Sequence, residues 1–173
     1  IIPAAFAVPG SKGAADVQFL VILGELGEGE RDQIRRVVSS MGETLSDIDE
    51  VRYQVEGLSW VSAAEVRFNW PAELTINVHA ERAIAYWNDT AFINKEGAKF
   101  QSAFHAGIDL PHLYGPDDQV DEVMRRYLEI RRALPELAIE MVEVRARGAV
   151  AFELRAGWQV LLGSSDISER LQR

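Results

Sequence analysis

The sequence contains no cysteine, which excludes disulfide staples, thiolate metal ligands and cysteine nucleophiles together. Histidine is scarce. His79, His105 and His112 stand far apart with no HxxxH-type spacing, so no zinc site is expected. Positive charge is in deficit, 18 Lys+Arg against 27 Asp+Glu, for a formal net charge of −9 at pH 7. That balance argues against nucleic acid as a partner, because counterion release needs clustered cations, and an anionic membrane surface would repel the chain. No run reaches the ~20 apolar residues of a membrane helix. The longest apolar stretch, Ile1 to Gly10, carries Pro3 and Pro9. Its Ala5-Phe6-Ala7 resembles a signal-peptidase site, yet no basic segment precedes it. With Ile1 in first place instead of Met, residues 1–15 read as a linker or the remnant of an exported precursor.

What is present is the composition of a folded chain: 173 residues, 47% hydrophobic and 26% charged, enough for one ordinary domain or two small ones. Val17 to Leu23 is nearly all apolar and ends at Gly24, the pattern of a buried strand. A helix is predicted from Glu30 to Met41, where Ile34, Val37, Val38 and Met41 form one stripe and Gly42 ends it. Ser46 with Asp49 approximates a capping box and opens a second helix through Ile48, Val51, Val55 and Leu58. From Val61 the period becomes two. Ala64, Val66, Phe68 and Trp70 point one way, and Glu65, Arg67 and Asn69 the other. Pro71-Ala72 turns the chain, and Leu74, Ile76, Val78 and Ala80 alternate with Thr75, Asn77 and His79. Strand, helix, helix, strand, strand makes a small α+β unit with its helices on one sheet face.

The second half has a different texture. Short strands are predicted at Ala83 to Trp87, Ala91 to Ile93 and Ala98 to Ser102, with a loop from Gly107 to Pro116. A long helix runs from Val120 to Leu134, with Val120, Val123, Met124, Tyr127, Leu128 and Leu134 on one face and Pro135 as its stop. Strands follow at Ile139 to Val144, Val150 to Leu154 and Trp158 to Leu162, then a helix begins at Asp166 and runs to Arg173.

Catalytic chemistry is thin. Asp117-Asp118 and Asp49-Glu50 are adjacent acids that point apart, and the first pair sits where negative charge favours the N-terminus of the long helix. Gly24-Glu25-Leu26-Gly27-Glu28-Gly29 joins a strand to a helix, but its spacing is no phosphate motif and its glutamates would repel phosphate. There is no GxSxG, and nothing points to a cofactor. Asn88-Asp89-Thr90 matches the short N-glycosylation pattern. An enzyme is therefore not expected. Arginine stands out: from Arg125 to Arg155 there are seven arginines and five acids. Most of these read as a solvated face. The functional alternative is that Arg145 and Arg147 flank a sheet edge where an acidic partner segment docks. Trp60, Trp70 and Trp87 are expected in or near the core.

Leu58-Ser59-Trp60-Val61, Val66-Arg67 and Trp70-Pro71-Ala72-Glu73-Leu74 resemble the end of a POTRA domain in the FtsQ/DivIB family of bacterial cell-division proteins. The resemblance continues through Ile84-Ala85-Tyr86-Trp87, Asn94-Lys95-Glu96-Gly97 with Phe100, and Leu110-Pro111-His112-Leu113-Tyr114-Gly115-Pro116. It ends with Arg147-Gly148-Ala149, Leu161-Leu162-Gly163 and Arg170-Leu171, so blocks in the family's order run from Val17 to Arg173. Departures include Ser59 for a usual proline, Ala80 for glutamate, Ala83 for proline and Val150 for a frequent tryptophan.

The resemblance implies a POTRA domain (β-α-α-β-β) at residues 16–82 and a mixed C-terminal β-domain at 83–173. The family's membrane helix would precede the chain, the only route to a membrane that is implied, and its final strand would lie beyond Arg173. The implied function is a non-enzymatic scaffold at the periplasmic face of the inner membrane at the septum, with FtsB and FtsL as partners and further FtsK, FtsW and FtsI. Position by position, Ala63, Val66 and Phe68 match a face implicated in recruitment, although alternation also places Phe68 on the apolar side. Arg147, with Arg145 beside it, matches the region that meets FtsB. Because the principal FtsB-binding strand would lie past Arg173, weak or absent binding of FtsB by this chain is expected. The rival reading is a POTRA module of an outer-membrane translocation system. Further repeats or long barrel strands would follow such a module, whereas here a long helix and short strands follow.

Overall fold

Alternation of Leu74, Ile76 and Val78 with Thr75, Asn77 and His79 marks the centre of the first of two sheets. The computed structural model describes residues 5–7, 17–164 and 169, and the chain splits into two units, Ile1–Glu81 and Arg82–Arg173. The fold is α+β and POTRA-like in its first half.

The first unit contains β1 (Ala5–Ala7), β2 (Phe19–Leu23), α1 (Glu28–Ser40), a 3-10 helix (Gly42–Ser46), α2 (Ile48–Glu56), β3 (Val61–Asn69) and β4 (Glu73–Ala80). The sheet order is β1-β2-β4-β3, with β2 parallel to β4 and the other pairs antiparallel. Register places Leu20, Leu74 and Phe68 in one cross-strand row and Ile22, Ile76 and Val66 in the next. That face meets the helical stripes of Ile34, Val38, Val51 and Val55, all fully buried. Residues 5–7, within the stretch expected as a linker or remnant, pair as a strand along β2.

Several local expectations are revised. Helix α1 begins at Glu28, because Glu30 reaches back to accept from the Gly27 N–H at 2.7 Å. Arg31 then gathers the carbonyls leaving β2, donating to Ile22 O at 2.7 Å, Gly24 O at 3.0 Å and Leu26 O at 3.3 Å. The cap of α2 is Asp47, not Ser46. The Asp47 carboxylate accepts from the Asp49 and Glu50 N–H groups, while Ser46 closes a 3-10 turn that buries Leu45. Trp60 is buried and donates its indole N–H to Gln33 Oε1 at 2.7 Å. Trp70 is 88% exposed, contrary to expectation. It lies in the turn past the last β3–β4 pair, Asn69 with Glu73, where no partner strand remains to cover it.

The second unit contains β5 (Ala85–Trp87), β6 (Ala91–Ile93), β7 (Lys99–Phe100), β8 (His112–Tyr114), α3 (Val120–Ala133), β9 (Ile139–Val144), β10 (Val150–Leu154) and β11 (Gln159–Gly163). Its sheet order is β11-β10-β9-β8-β5-β6-β7, with β8 parallel to both neighbours. Strand β8 overturns the loop expected from Gly107 to Pro116. Its Leu113 is fully buried, and its pairing is entirely long-range, between segments that local turn residues on either side do not reveal. Trp87, Leu113, Val142 and Phe152 form one row across the sheet. They share a core with Val123, Met124, Tyr127 and Ile130 of α3. Ile130, absent from the expected stripe, is fully buried, whereas Val120, Leu128 and Leu134 pack only at its margin. The helix expected from Asp166 to Arg173 lies outside the described residues apart from Glu169.

Gly24 has φ +129°, and a Cβ there would stand 2.3 Å from the Val78 carbonyl oxygen. Gly42 has φ +57° with nothing within 4 Å. Gly24→Ala is therefore expected to cost about 2–4 kcal/mol through strain and backbone displacement, against about 1 kcal/mol for Gly42→Ala. Urea denaturation of both variants checks the order; equal losses would contradict it.

Candidate functional site

In the first unit, β3 has β4 on one side and no strand among the described residues on the other. The Ala64 N–H donates to Glu56 Oε1 at 3.0 Å and so points away from β4. By antiparallel alternation, Val66 and Phe68 also turn their main-chain groups outward. Their side chains are half-buried at the margin of the core, opposite Ile76 and Leu74. Ala63 is exposed on the opposite face, paired with His79 after an irregularity at Ser62. The structure thus brings Ala63, Val66 and Phe68 onto one rim but not onto one face.

In the second unit, Arg145 and Arg147 lie in the β9–β10 turn, closed by Arg145 N–H to Ala149 O at 2.9 Å and Gly148 N–H to Arg145 O at 2.7 Å. The expectation that they flank a sheet edge is corrected. Both strands of this hairpin are interior, and the rim belongs to β11. Arg145 donates twice to the Glu143 carboxylate, at 3.3 and 3.2 Å. Arg147 is exposed and has no ion pair among the described residues. The rest of the arginine-rich stretch contains many pairs: Arg126 bridges Glu122 and Glu129, and Arg155 bridges Asp109 and Glu140.

Along β11, the Leu154 N–H donates to Trp158 O at 2.9 Å. This phase turns Val160 toward β10 and leaves the main-chain groups of Gln159 and Leu161 facing outward. Leu161 and Trp158 are 77% and 72% exposed beside that rim.

Sequence reasoning missed a polar cluster on the sheet face away from α3. Tyr86 stacks on His112 (centroids 4.6 Å apart), and Tyr114 donates to the Asp89 carboxylate at 2.9 Å. His112 Nδ1 meets Asp89 at 2.7 Å. Burial and then the neighbouring Asp89 push the Tyr114 hydroxyl up to about 12, so it is a neutral donor at pH 7. The period-two spacing of His112 and Tyr114 was the available signal. Asn88 of the glycosylation triplet sits in the β5–β6 turn at φ 46°, its side-chain amide bonded both ways to the Gly115 main chain at 3.0 and 3.2 Å. Among the described residues no group of three or more His, Asp or Glu is arranged to hold a metal ion, and no helix is long and apolar enough to cross a membrane.

Asp117 does not cap α3, whose N-cap is Gln119 with no side-chain cap bond. Its carboxylate instead accepts the indole N–H of buried Trp87 at 2.9 Å. That bond, with the Lys99 ammonium beside it, holds Asp117 below its ordinary carboxyl value. A depressed folded value means that the stabilisation is present above the unfolded value of about 3.9 and is lost as pH falls through the folded one. Asp117→Asn is expected to lower Tm at neutral pH, with the gap closing in acid. A gap that stays constant down to about pH 2 would contradict the linkage.

The family model described as "Cell division protein FtsQ/DivIB, C-terminal" matches residues 85–173. The cell division protein FtsQ of Shewanella oneidensis is 34% identical over 131 residues, covering 74% of this chain and 50% of the relative. That of Nitrosospira multiformis is 31% identical over 155 residues, covering 87% and 65%. That of Escherichia coli is 30% identical over 163 residues, covering 89% and 59%. The chain spans about half the length of the first curated relatives it matches. Matched by the family model from residue 85 to residue 173, the chain belongs to the FtsQ/DivIB family of cell division proteins.

Proposed function

We propose that the chain acts as a non-enzymatic scaffold of the division machinery, binding FtsB and FtsL, and further FtsK, FtsW and FtsI, at the periplasmic face of the inner membrane at the septum. In this reading residues 16–82 are the POTRA domain and 83–173 the β-domain. Family membership supports a division role. The observation that carries the mechanism is the outer rim of β11, where the main-chain groups of Gln159 and Leu161 face outward beside exposed Leu161 and Trp158. Such a row of donors and acceptors templates a further strand, whether from the family's own fold or from a partner, by β-augmentation. Arg147, unpaired among the described residues, offers a guanidinium to an acidic partner, and Arg145 stands beside it. In the first unit, Val66 and Phe68 supply the main-chain groups of the β3 rim, and Ala63, whose main-chain groups face β4, presents only its exposed side chain on the opposite face.

Titration of FtsB into the full-length protein by calorimetry tests this. Leu161→Pro removes an outward N–H while sparing the ladder to β10, and is expected to weaken binding about tenfold. Arg147→Glu is expected to weaken it by a few-fold without lowering Tm. Unchanged affinity in Leu161→Pro would overturn the rim reading, and unchanged affinity in Arg147→Glu would remove that residue from the site.

A further inference from the structure

Among the described elements, the seven-stranded sheet carries its one long helix, α3, on a single side. Opposite α3, register lines up Tyr86, His112, Met141, Glu153 and Gln159 in one cross-strand row, and Tyr114, Glu143, Ala151 and Leu161 in the next. A β-bulge in β9 adds Glu140 to the same side: Met141 pairs with Glu153 and Ile139 with Leu154, so Glu140 is the extra residue. His112, Tyr114, Glu140, Met141, Glu143 and Glu153 line a shallow hollow of ≈ 500 Å³.

Its charge has one sign at the centre. Glu143 and Glu140 are engaged at the margin by Arg145 and Arg155. Glu153 accepts only from the Gln159 amide, at 3.1 Å, and meets no cation among the described residues. Asp89 behind the hollow is met by Tyr114 and His112 and, among the described residues, by no Lys or Arg. The rings of Tyr86, His112 and Tyr114 stand nearly parallel, with interplanar angles of 15° between neighbours. The carboxylates are too dispersed for a divalent ion, since no metal-holding group forms among the described residues. A flat guanidinium suits both features, continuing the stack of rings while its N–H fork reaches a carboxylate.

We propose that this face, opposite α3, docks an extended, arginine-bearing segment of a partner protein, with one guanidinium in the hollow between the His112 and Tyr114 rings and the Glu153 and Glu143 carboxylates. A chain segment is the fitting occupant because the hollow spans β8, β9 and β10, about 10 Å of sheet. An anionic lipid surface is repelled by the same charges. The hollow lies on β8, β9 and β10 and adjoins the β11 rim through Gln159, but it takes a cation on a sheet face, not a strand on a main-chain border, and its partner is opposite in charge to the one sought by Arg147.

The test is NMR titration of the chain with a capped Val-Arg-Val-Arg-Val peptide and, separately, its Val-Glu-Val-Glu-Val counterpart. The expected result is saturable shifts of the His112, Tyr114, Met141 and Glu153 amides with the arginine peptide only, weakening as salt is raised. Glu153→Gln and Glu143→Gln are each expected to reduce affinity about fivefold, and replacing arginine by citrulline to abolish the shifts. Equal shifts from both peptides confined to Gln159–Gly163 would overturn this proposal while supporting strand addition at β11. Absence of saturable shifts, or the same shifts on raising protein concentration alone, would also overturn it, the latter by assigning the face to a second copy.

Discussion

The second unit depends on a strand of three residues. Within the sheet, His112–Tyr114 is the strand that joins the β5–β6–β7 meander to the β9–β10–β11 meander among the described residues, and both joints are parallel. Parallel neighbours must arrive by crossover, so the chain leaves β5, completes two short strands and a loop, and returns to lay β8 beside it. Leu113 at the middle is fully buried between Trp87 and Val142. Bonds around it tie the joint down: Asn88 N–H to Leu113 O at 3.0 Å, Tyr86 N–H to Pro111 O at 2.9 Å, and the Asn88 side chain to Gly115. The Trp87–Asp117 bond then pins the segment that leads into α3.

That arrangement explains what was legible in the sequence. Leu74, Ile76 and Val78, or Ile139 to Val144, announce themselves because one face of each strand is buried over several residues. Strand β8 has one inward side chain, and Pro111 and Gly115-Pro116 on its flanks read as loop chemistry. Its strand character comes from segments more than twenty positions away. The Ser46 cap failed for a smaller reason: Asp47 stands one place nearer to Ile48, and its carboxylate reaches two N–H groups. Trp70 continues the alternation of Ala64, Val66 and Phe68 in sequence, but no sheet continues beneath it.

The candidate surfaces were legible in part. Residue types at Arg145 and Arg147 pointed to carboxylate recognition, but their place in a turn between interior strands follows from strand order, which no local pattern encodes. The separation of Ala63 from Val66 and Phe68, by contrast, is plain period-two alternation in an unbroken register from Ala63 to Phe68, and was legible in the sequence. The acid-and-ring face opposite α3 left only the spacing of His112 and Tyr114 as a trace, because its other members come from separate strands. Most surface ion pairs here involve half-exposed partners within one helix turn or hairpin. Each contributes little to stability, so their weight falls on the shape of the potential outside the molecule.

The Glu56 carboxylate on the Ala64 N–H has a consequence for the crowd of proteins around this one. A bare strand border invites indefinite head-to-tail stacking of identical chains. Here the last residue of α2 plugs the first outward donor of β3, leaving a berth only a few residues long, from Val66 to the Trp70 turn. Any strand added there is confined to that short run, which limits the length of an edge-to-edge pairing whatever chain supplies it.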